Sequence, residues 1–380
     1  MILHKNLLQI KEGFNKGGIG MMVFNMLKKL GHEQVIYFND EETGLRGITA
    51  IHNTVLGPAL GGTRLWNYKN EEDALTDVLR LSRGMTYKAA VAGLNLGGGK
   101  TVLIGEADKV KSEEFFRSLG RFIQSLNGRY ITAEDVNTTT SDMSYVAMET
   151  DHVVGLSGKS GNPSPVTSLG TLYAIRACLK ERYGTTSLEG KTFAVQGAGQ
   201  TGYYLIKYLL GENEEGDRAK KIYFTEINLN YIERMRLEHP EVEYVEPAEI
   251  YGLDVDVFSP CALGAIIDEN TIPHFRCKII AGTANNVLRE ERFADTLKEL
   301  DILYAPDFVS NGGGLINVYH ELLGYNKEKA LADVRLIYDR VLEIFKISKE
   351  TGVSTNEAAI RYAEQRIEKI KNLKSNYIVR

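Results

Sequence analysis

Lys88 and Lys100 stand twelve positions apart, with Gly97, Gly98 and Gly99 directly ahead of the second lysine. Two cations converging on a side-chain-free stretch would let a substrate lie against the main chain. The same spacing also fits a glycine hairpin carrying two solvated surface lysines, because lysine is most often simply hydrated. Glu134 and Asp135 follow the β-rich run from Arg129 to Ala133, so they fall at a strand end, where catalytic groups tend to sit on a rigid scaffold. Adjacent acids there equally suit a solvated turn or the cap of a helix beginning near Ser141. A third constellation is Gly197-Ala198-Gly199-Gln200-Thr201-Gly202, directly behind the apolar run Thr192 to Gln196 and opening a helix. In that context the first glycine permits a tight turn, the second brings backbone N–H groups to a pyrophosphate, and the third lets helix pack on strand.

Two competing motifs fail on counting. A phosphate-binding P-loop ending in Gly99-Lys100-Thr101 needs a glycine where Leu94 stands, and Gly93 is off by one. His320-Glu321 begins like a zinc-protease motif, but Gly324 occupies the place of the second histidine. No metal site is expected.

The elements that must position these groups are read from periodicity. Glu33 to Asn39 and Arg46 to His52 read as a hairpin around Asp40 to Gly44, and Gly57 to Arg64 as a glycine-rich loop. Asn70 caps an amphipathic helix from Glu71 to Arg83 that ends at Gly84. The short run from Tyr87 to Leu94 reads as a buried strand opened by Lys88, followed by a glycine turn and a strand from Thr101 to Ile104. A helix from Ser112 to Leu126 precedes the strand that leads to Asp135. After the Gly-, Ser- and Pro-rich stretch from Gly155 to Pro165, a helix from Val166 to Tyr183 leads into strands alternating with helical connections, the signature of a parallel sheet. The strand from Lys221 to Thr225 ends at Glu226, where such folds place an acid on the adenosine ribose. Its separation of 29 from Gly197 exceeds the usual spacing of about 20, and the charged loop from Gly211 to Lys220 accounts for the excess. A carboxylate there repels a 2′-phosphate and no arginine adjoins it in sequence, which favours NAD over NADP. Asn311 to Asn317 reads as a second glycine-rich turn, and residues from about 327 to 374 as long amphipathic helices.

The 380 residues suffice for two domains with buried cores. Net charge is −5 and no dense Lys/Arg run occurs, so a nucleic-acid partner is not expected. Three cysteines without CxxC spacing argue against a disulfide framework and fit a reducing cytoplasm. No run approaches the roughly 18 apolar residues of a membrane span. Gly17 to Leu27 lacks a signal-peptide cleavage site and reads as part of a first helix. Lys16-Gly17-Gly18 back-translates to a purine-rich ribosome-binding sequence ahead of Met21 and Met22, so residues 1 to about 20 are expected to be partly an over-extended reading frame.

From about Glu33 to about Ala363 the chain resembles the Glu/Leu/Phe/Val amino-acid dehydrogenase family, most closely its leucine-acting branch. The resemblance lies in GPALGGTR (57–64), RGMTYKAAVAGLNLGGGKTV (83–102), LNGRYITAEDV (126–136), SGNPSPVT (160–167), SPCALGAII (259–267), AGTANN (281–286) and YAPDF (304–308). It implies an α/β fold of two domains: an N-terminal α/β substrate and oligomerisation domain over 1–160, and a doubly wound Rossmann NAD-binding domain over 161–326. Helices over 327–380 would return across the junction onto the first domain. It implies reversible oxidative deamination of an L-amino acid to a 2-oxo acid, ammonia and NADH by a homo-oligomer, in a cleft between the two domains. Carried across, Lys88 would bind the substrate carboxylate, Lys100 would activate water, and Asp135 would shuttle a proton to and from the amine. Gly61, Met85 and Asn286 would line the substrate. Thr167, Gly197, Ala198, Gly199, Gln200, Thr201, Gly202, Glu226, Cys261, Ala262, Asn286 and Asn311 would hold the cofactor. Leu60 stands where glutamate-acting members carry a lysine for the side-chain carboxylate, so with Ala133, Leu315 and Val318 it implies an aliphatic pocket and a branched-chain substrate. The chain departs from leucine-acting members at Leu315, where a valine is expected, and in a shorter Gly155 to Gly161 loop. That departure points toward smaller branched substrates such as valine or 2-aminobutyrate. An aromatic-acting dehydrogenase on the same fold, and a non-catalytic NAD-binding protein, are the alternatives.

Overall fold

Two β-sheets of different make-up carry the chain, and the computed structural model describes them within residues 19–156 and 158–373. The expectation about the reading frame rests on residues 1–18, which lie outside the described residues. One compact unit is built from residues up to Thr86 together with Leu96–Val153, the other from Tyr87–Asn95 and Val154 onward.

The sheet of the first unit has strand order β1-β2-β4-β3-β5. β1 (Gln34–Asp40) and β2 (Leu45–Asn53) form the expected antiparallel hairpin. β3 (Ala59–Trp66) lies parallel to β4 (Gly97–Ile104) on one side and to β5 (Tyr130–Glu134) on the other. The helix Glu71–Val91 buries Ala74, Leu75, Val78 and Leu79 against Ile48, Ala50 and Val102 of this sheet. The residues on the opposite face pair as hydroxyls, Thr49 with Thr101 and Thr63 with Thr132, both at 2.7 Å.

Three expectations about this part of the sequence are corrected. The segment from Tyr87 is helix, not strand: the helix that was to stop at Gly84 runs on to Val91. Gly84 is exposed with open space around it. Its interior cost of about 1 kcal/mol is therefore met by the strong helix propensity of Ala89 and Ala90 and by the buried face. The stop comes at Gly93, whose left-handed φ of 72° closes the helix end through Gly93 N–H to Ala90 and Leu94 N–H to Ala89. Gly97, Gly98 and Gly99 do not form a turn but open β4. They are glycine because neighbours press on them: a Cβ would lie 1.9 Å from Asn53 O at Gly97 and 2.1 Å from Thr86 N at Gly98. The Gly57 to Arg64 stretch is mostly strand β3, with Gly61 facing the Gly99 carbonyl at 1.7 Å from where a Cβ would stand.

The second unit holds an all-parallel six-stranded sheet ordered β11-β10-β9-β6-β7-β8. These strands are β6 (Thr192–Gln196), β7 (Lys221–Thr225), β8 (Glu243–Tyr244), β9 (Val257–Pro260), β10 (Ile279–Ile280) and β11 (Leu303–Tyr304). The order reverses between β6 and β9, the switch point at which doubly wound sheets bind ligands. Asn311 to Asn317 is another correction. Rather than a turn, Gly313 begins the helix Gly313–Tyr319, and its Cβ would lie 2.2 Å from the Val166 carbonyl, so glycine permits close helix–helix packing. The C-terminal helices Ile337–Thr351 and Thr355–Lys371 belong to this unit. Ile337 packs where a side chain on Gly170 would stand, and Arg366 donates to the carbonyls of Leu94 (2.6 Å) and Gly93 (3.1 Å).

Candidate active site

Register decides which side chains of the first sheet share a face. Leu60 on β3 is level with Gly98 and Ile131, and Gly62 with Ala133. With side chains alternating, Leu60, Arg64, Lys100 and Ala133 project from one face, and Asp135 continues that series just past the end of β5. Lys100 is 4% exposed and its ammonium lies 2.9 Å from Asp135 Oδ1. Arg64 Nε donates to the other oxygen, Oδ2, at 3.0 Å. Burial alone would raise the proton affinity of Asp135. The Lys100 ammonium and the Arg64 guanidinium outweigh it and hold the carboxyl well below the usual carboxylate range.

The loop beyond β5 fixes Asp135. Its N–H donates to Thr138 Oγ1 at 2.9 Å, and that hydroxyl donates on to Thr63 O. Gly62 leaves the room: a Cβ there would lie 2.9 Å from Asp135 Cβ. The helix Thr140–Val146 is capped by Thr139, and Glu134 accepts from the Thr140 hydroxyl. Asp135 thus opens the turn to Thr138, but its side chain is spent on Lys100 and Arg64 and is not the helix cap.

Lys88 sits in the last turn of its helix, half-buried, one turn beyond half-buried Met85. Its ammonium lies 3.4 Å from Asn285 Oδ1, which also accepts from Asn311 Nδ2 at 2.8 Å. The neighbouring Asn286 holds a left-handed φ of 52°. Asp307 supports this turn by accepting from Val287 N–H at 2.9 Å and Phe308 N–H at 2.7 Å. Burial raises the Asp307 carboxyl from its ordinary value, opposed by those N–H groups and the charge of Lys88. The YAPDF motif contains Asp307, yet nothing in its spacing pointed to this role. Leu315 is buried and Val318 half-buried, one turn apart on the helix Gly313–Tyr319.

At the switch point, β6 runs into the glycine turn and the helix Gln200–Leu209, with Gly199 at its N-cap. Gly197 has a φ of 97°, and its Cβ would lie 2.7 Å from that of Ala262, the residue after Cys261. Gly202 approaches Gly197 O so closely that a Cβ would lie 1.9 Å away. A Cβ on Gly199 would meet nothing nearer than a Tyr231 ring atom at 3.7 Å, so the space beside this residue is open. Thr201 and Thr283 share a 2.7 Å hydroxyl contact, and Thr167 Oγ1 donates to Pro163 O at 3.0 Å. Glu226 accepts from the N–H groups of Ala198, Ile227 and Asn228. The fold also brings Arg234 to this turn, donating to Ala198 O at 3.2 Å and lying over the Tyr203 ring at 4.0 Å. No arginine adjoins Glu226 in sequence, yet the fold brings Arg234 to Ala198, the residue whose N–H donates to Glu226.

Asn311 Oδ1 is buried without a hydrogen-bond partner, while its Nδ2 is fully used. An orphaned buried acceptor costs stability unless a ligand donor meets it, and a carboxamide N–H would. Together with the glycine cradle and the open space beside Gly199, this fits a nicotinamide dinucleotide. Among the described residues no cluster of His, Cys, Asp or Glu could hold a metal ion, and no helix is long and apolar enough to cross a membrane.

Comparison with known proteins agrees with this arrangement. Residues 32–152 match the dimerisation domain of Glu/Leu/Phe/Val dehydrogenases, and residues 158–374 match the glutamate/leucine/phenylalanine/valine dehydrogenase domain. A leucine dehydrogenase of Bacillus cereus is 52% identical over 359 residues, 94% of this chain and 96% of that protein. A phenylalanine dehydrogenase of Caldalkalibacillus thermarum is 44% identical over 90% of this chain and 93% of its own length. The crystal structure of L-tryptophan dehydrogenase from Nostoc punctiforme superposes with a TM-score of 0.81 at 45% identity, covering 92% of this chain and all of that one. With both halves matched and a paired lysine and aspartate on the first sheet, the chain belongs to the Glu/Leu/Phe/Val dehydrogenase family and is an NAD(P)-dependent amino-acid dehydrogenase.

Proposed function

We propose that this enzyme catalyses the reversible oxidative deamination of a branched-chain aliphatic L-amino acid with NAD, giving a 2-oxo acid, ammonium and NADH. The observation that carries the substrate assignment is Leu60, 3% exposed, on the same sheet face as Lys100 and Asp135 and level with Gly98 and Ile131. No charge stands there to meet a second carboxylate, and burying one unpaired would cost several kcal/mol, about 2 to 7 even for a merely polar group. Ala133 lies on the same face, and the family resemblance adds Leu315 and Val318 as further aliphatic residues.

In this reading Lys88 pairs with the substrate carboxylate and fixes its orientation. Asp135, held as a carboxylate, takes a proton from the substrate amine. When bound, the nicotinamide supplies the hydride acceptor. Lys100 activates water for addition to the imino carbon, and Asp135 returns a proton to nitrogen as ammonia leaves. Glu226, in this reading the acceptor for the adenosine ribose hydroxyls, is the ground for NAD over NADP. The match of residues 32–152 to a dimerisation domain supports assembly as a homo-oligomer.

Initial rates with ammonia across branched, aromatic and dicarboxylic 2-oxo acids, each with NADH and NADPH, test the proposal. Highest kcat/KM for a branched aliphatic oxo acid with NADH is expected. A preference for phenylpyruvate or indolepyruvate would move the enzyme to an aromatic substrate. Absence of NADH oxidation with every acid would make it a non-catalytic dinucleotide-binding protein.

A further inference from the structure

The Asp135 carboxylate is divided between two cations, and only one of them has a part in the proposed proton chemistry. Lys100 takes Oδ1 at 2.9 Å and Arg64 Nε takes Oδ2 at 3.0 Å. The other arm of the guanidinium is fastened as well, with Nη1 donating to Asp77 Oδ2 at 2.9 Å. That same Asp77 oxygen accepts from the Tyr68 hydroxyl at 2.7 Å, and Arg80 reaches Asp77 Oδ1 at 3.4 Å from the rim. The side chains of Arg64 and Asp77 are only 21% and 17% exposed, so the contacts are poorly screened. Burial would weaken the hold of Arg64 on its proton, but Asp135 and Asp77 outweigh that and keep it charged.

An ammonium is a point charge with no fork, so a buried carboxylate facing it alone stays free to turn and to fold back over it. Such a closed pair would leave neither group free to exchange a proton with a substrate. An arginine fork anchored at its far end prevents this by fixing the carboxylate plane. From this geometry we infer that Arg64 is a positioning residue: anchored by Asp77 and Tyr68, it holds one oxygen of Asp135 so that the other is presented to Lys100 and the substrate. Nothing in the family resemblance assigned a role to Arg64, Asp77 or Tyr68. They come from the end of β3, the loop after it and the first half of the helix Glu71–Val91, so register and helix phase, not sequence spacing, bring them together.

The inference rests on the proposed role of Asp135, and its test separates the two. Arg64→Met, Arg64→Lys and Asp135→Asn are compared in the full-length enzyme by kcat, by KM for NADH and for the 2-oxo acid, and by thermal melting. Arg64→Met is expected to lower kcat about 100-fold, the cost of misplacing a catalytic group by about 1 Å. KM for NADH should stay within about twofold, because a transition-state interaction is lost and not cofactor binding. Arg64→Lys, which keeps a cation but not the fork, is expected to recover about tenfold of that loss. Three outcomes overturn the inference: Arg64→Met within about twofold of the parent kcat, equal damage by Met and Lys, or kcat and NADH KM failing together with an early melt, which marks a structural role. An inactive Asp135→Asn beside a fully active Arg64→Met sinks the inference alone. An active Asp135→Asn sinks the catalytic reading beneath it.

Discussion

The surroundings of Asp135 and of Asn311 solve opposite problems. Around Asp135 the charges are already met: Lys100 and Arg64 share its two oxygens, and Asp77 takes the far arm of the arginine. Around Asn311 an acceptor is buried and left open, and at the glycine turn the space beside Gly199 is open. Proton-handling groups must hold their geometry before substrate arrives, because misplacement costs rate. A cofactor site that binds and releases its ligand keeps some polar atoms unsatisfied in its empty state, so that ligand hydrogen bonds are a net gain. Substitutions in the first region should therefore act on kcat, and in the second on affinity.

The largest expected effect is that of Lys100→Ala, which should cut turnover by about 10³-fold or more, within the range of lost general acid–base catalysis. Its NADH affinity, read by fluorescence titration, should match that of the parent. Equal loss of NADH binding would break the comparison. Gly202→Ala inverts the pattern. Its Cβ would lie 1.9 Å from Gly197 O, and the displaced turn should weaken NADH binding about 100-fold, or about 2.7 kcal/mol. Unchanged NADH affinity would show that the turn tolerates what its packing forbids.

Leu315→Val probes specificity. A methylene in a pocket is worth about 1 to 3 kcal/mol of discrimination, so this substitution should raise kcat/KM for leucine relative to valine by about tenfold. A ratio unmoved by the change would remove Leu315 from the substrate pocket. A separate effect concerns pH and stability. His32 and His52 face each other at 4.7 Å between ring centroids, with His52 Nδ1 on Thr86 Oγ1 at 2.8 Å. Burial first, then His52 acting on His32 and Arg83 acting on both, lowers His32 to about 3 and His52 to about 4 from 6.5. The unfolded chain takes up these protons below pH 6.5 while the folded chain does not, so stability should fall as pH drops from 6.5 toward 4. The slope is at most about 1.4 kcal/mol per pH unit for each histidine. Urea melts of His32→Gln should show a shallower slope than the parent, and parallel slopes would place the acid sensitivity elsewhere.

The alternation of strands and helices behind Gly197 was legible because a glycine fingerprint in the context of strand and helix has few other uses. Periodicity failed where glycine has two uses. Gly84 reads as a helix stop and Gly97 to Gly99 as a turn, though the first is a tolerated interior residue and the others make room for Asn53, Thr86 and Tyr130. Lys100 and Asp135 were readable as candidates from the glycine run directly ahead of Lys100 and from the strand that leads to Asp135. Arg64 and Asp77 were not, since their meeting depends on β3 register and on the phase of the following helix. The same holds for Asp307, whose significance lies in the backbone N–H groups it accepts, and for Arg366, which meets the Gly93 and Leu94 carbonyls across more than 270 positions.

The central claim is that Asp135 works in the chemistry and not in binding. Asp135→Asn keeps the size of the side chain but cannot carry the proton. Its kcat in the amination of 2-oxo-4-methylpentanoate, set beside NADH affinity on the same preparation, tests the claim most directly. A fall of at least about 100-fold in kcat with NADH affinity unchanged is predicted, and near-parental turnover would contradict it.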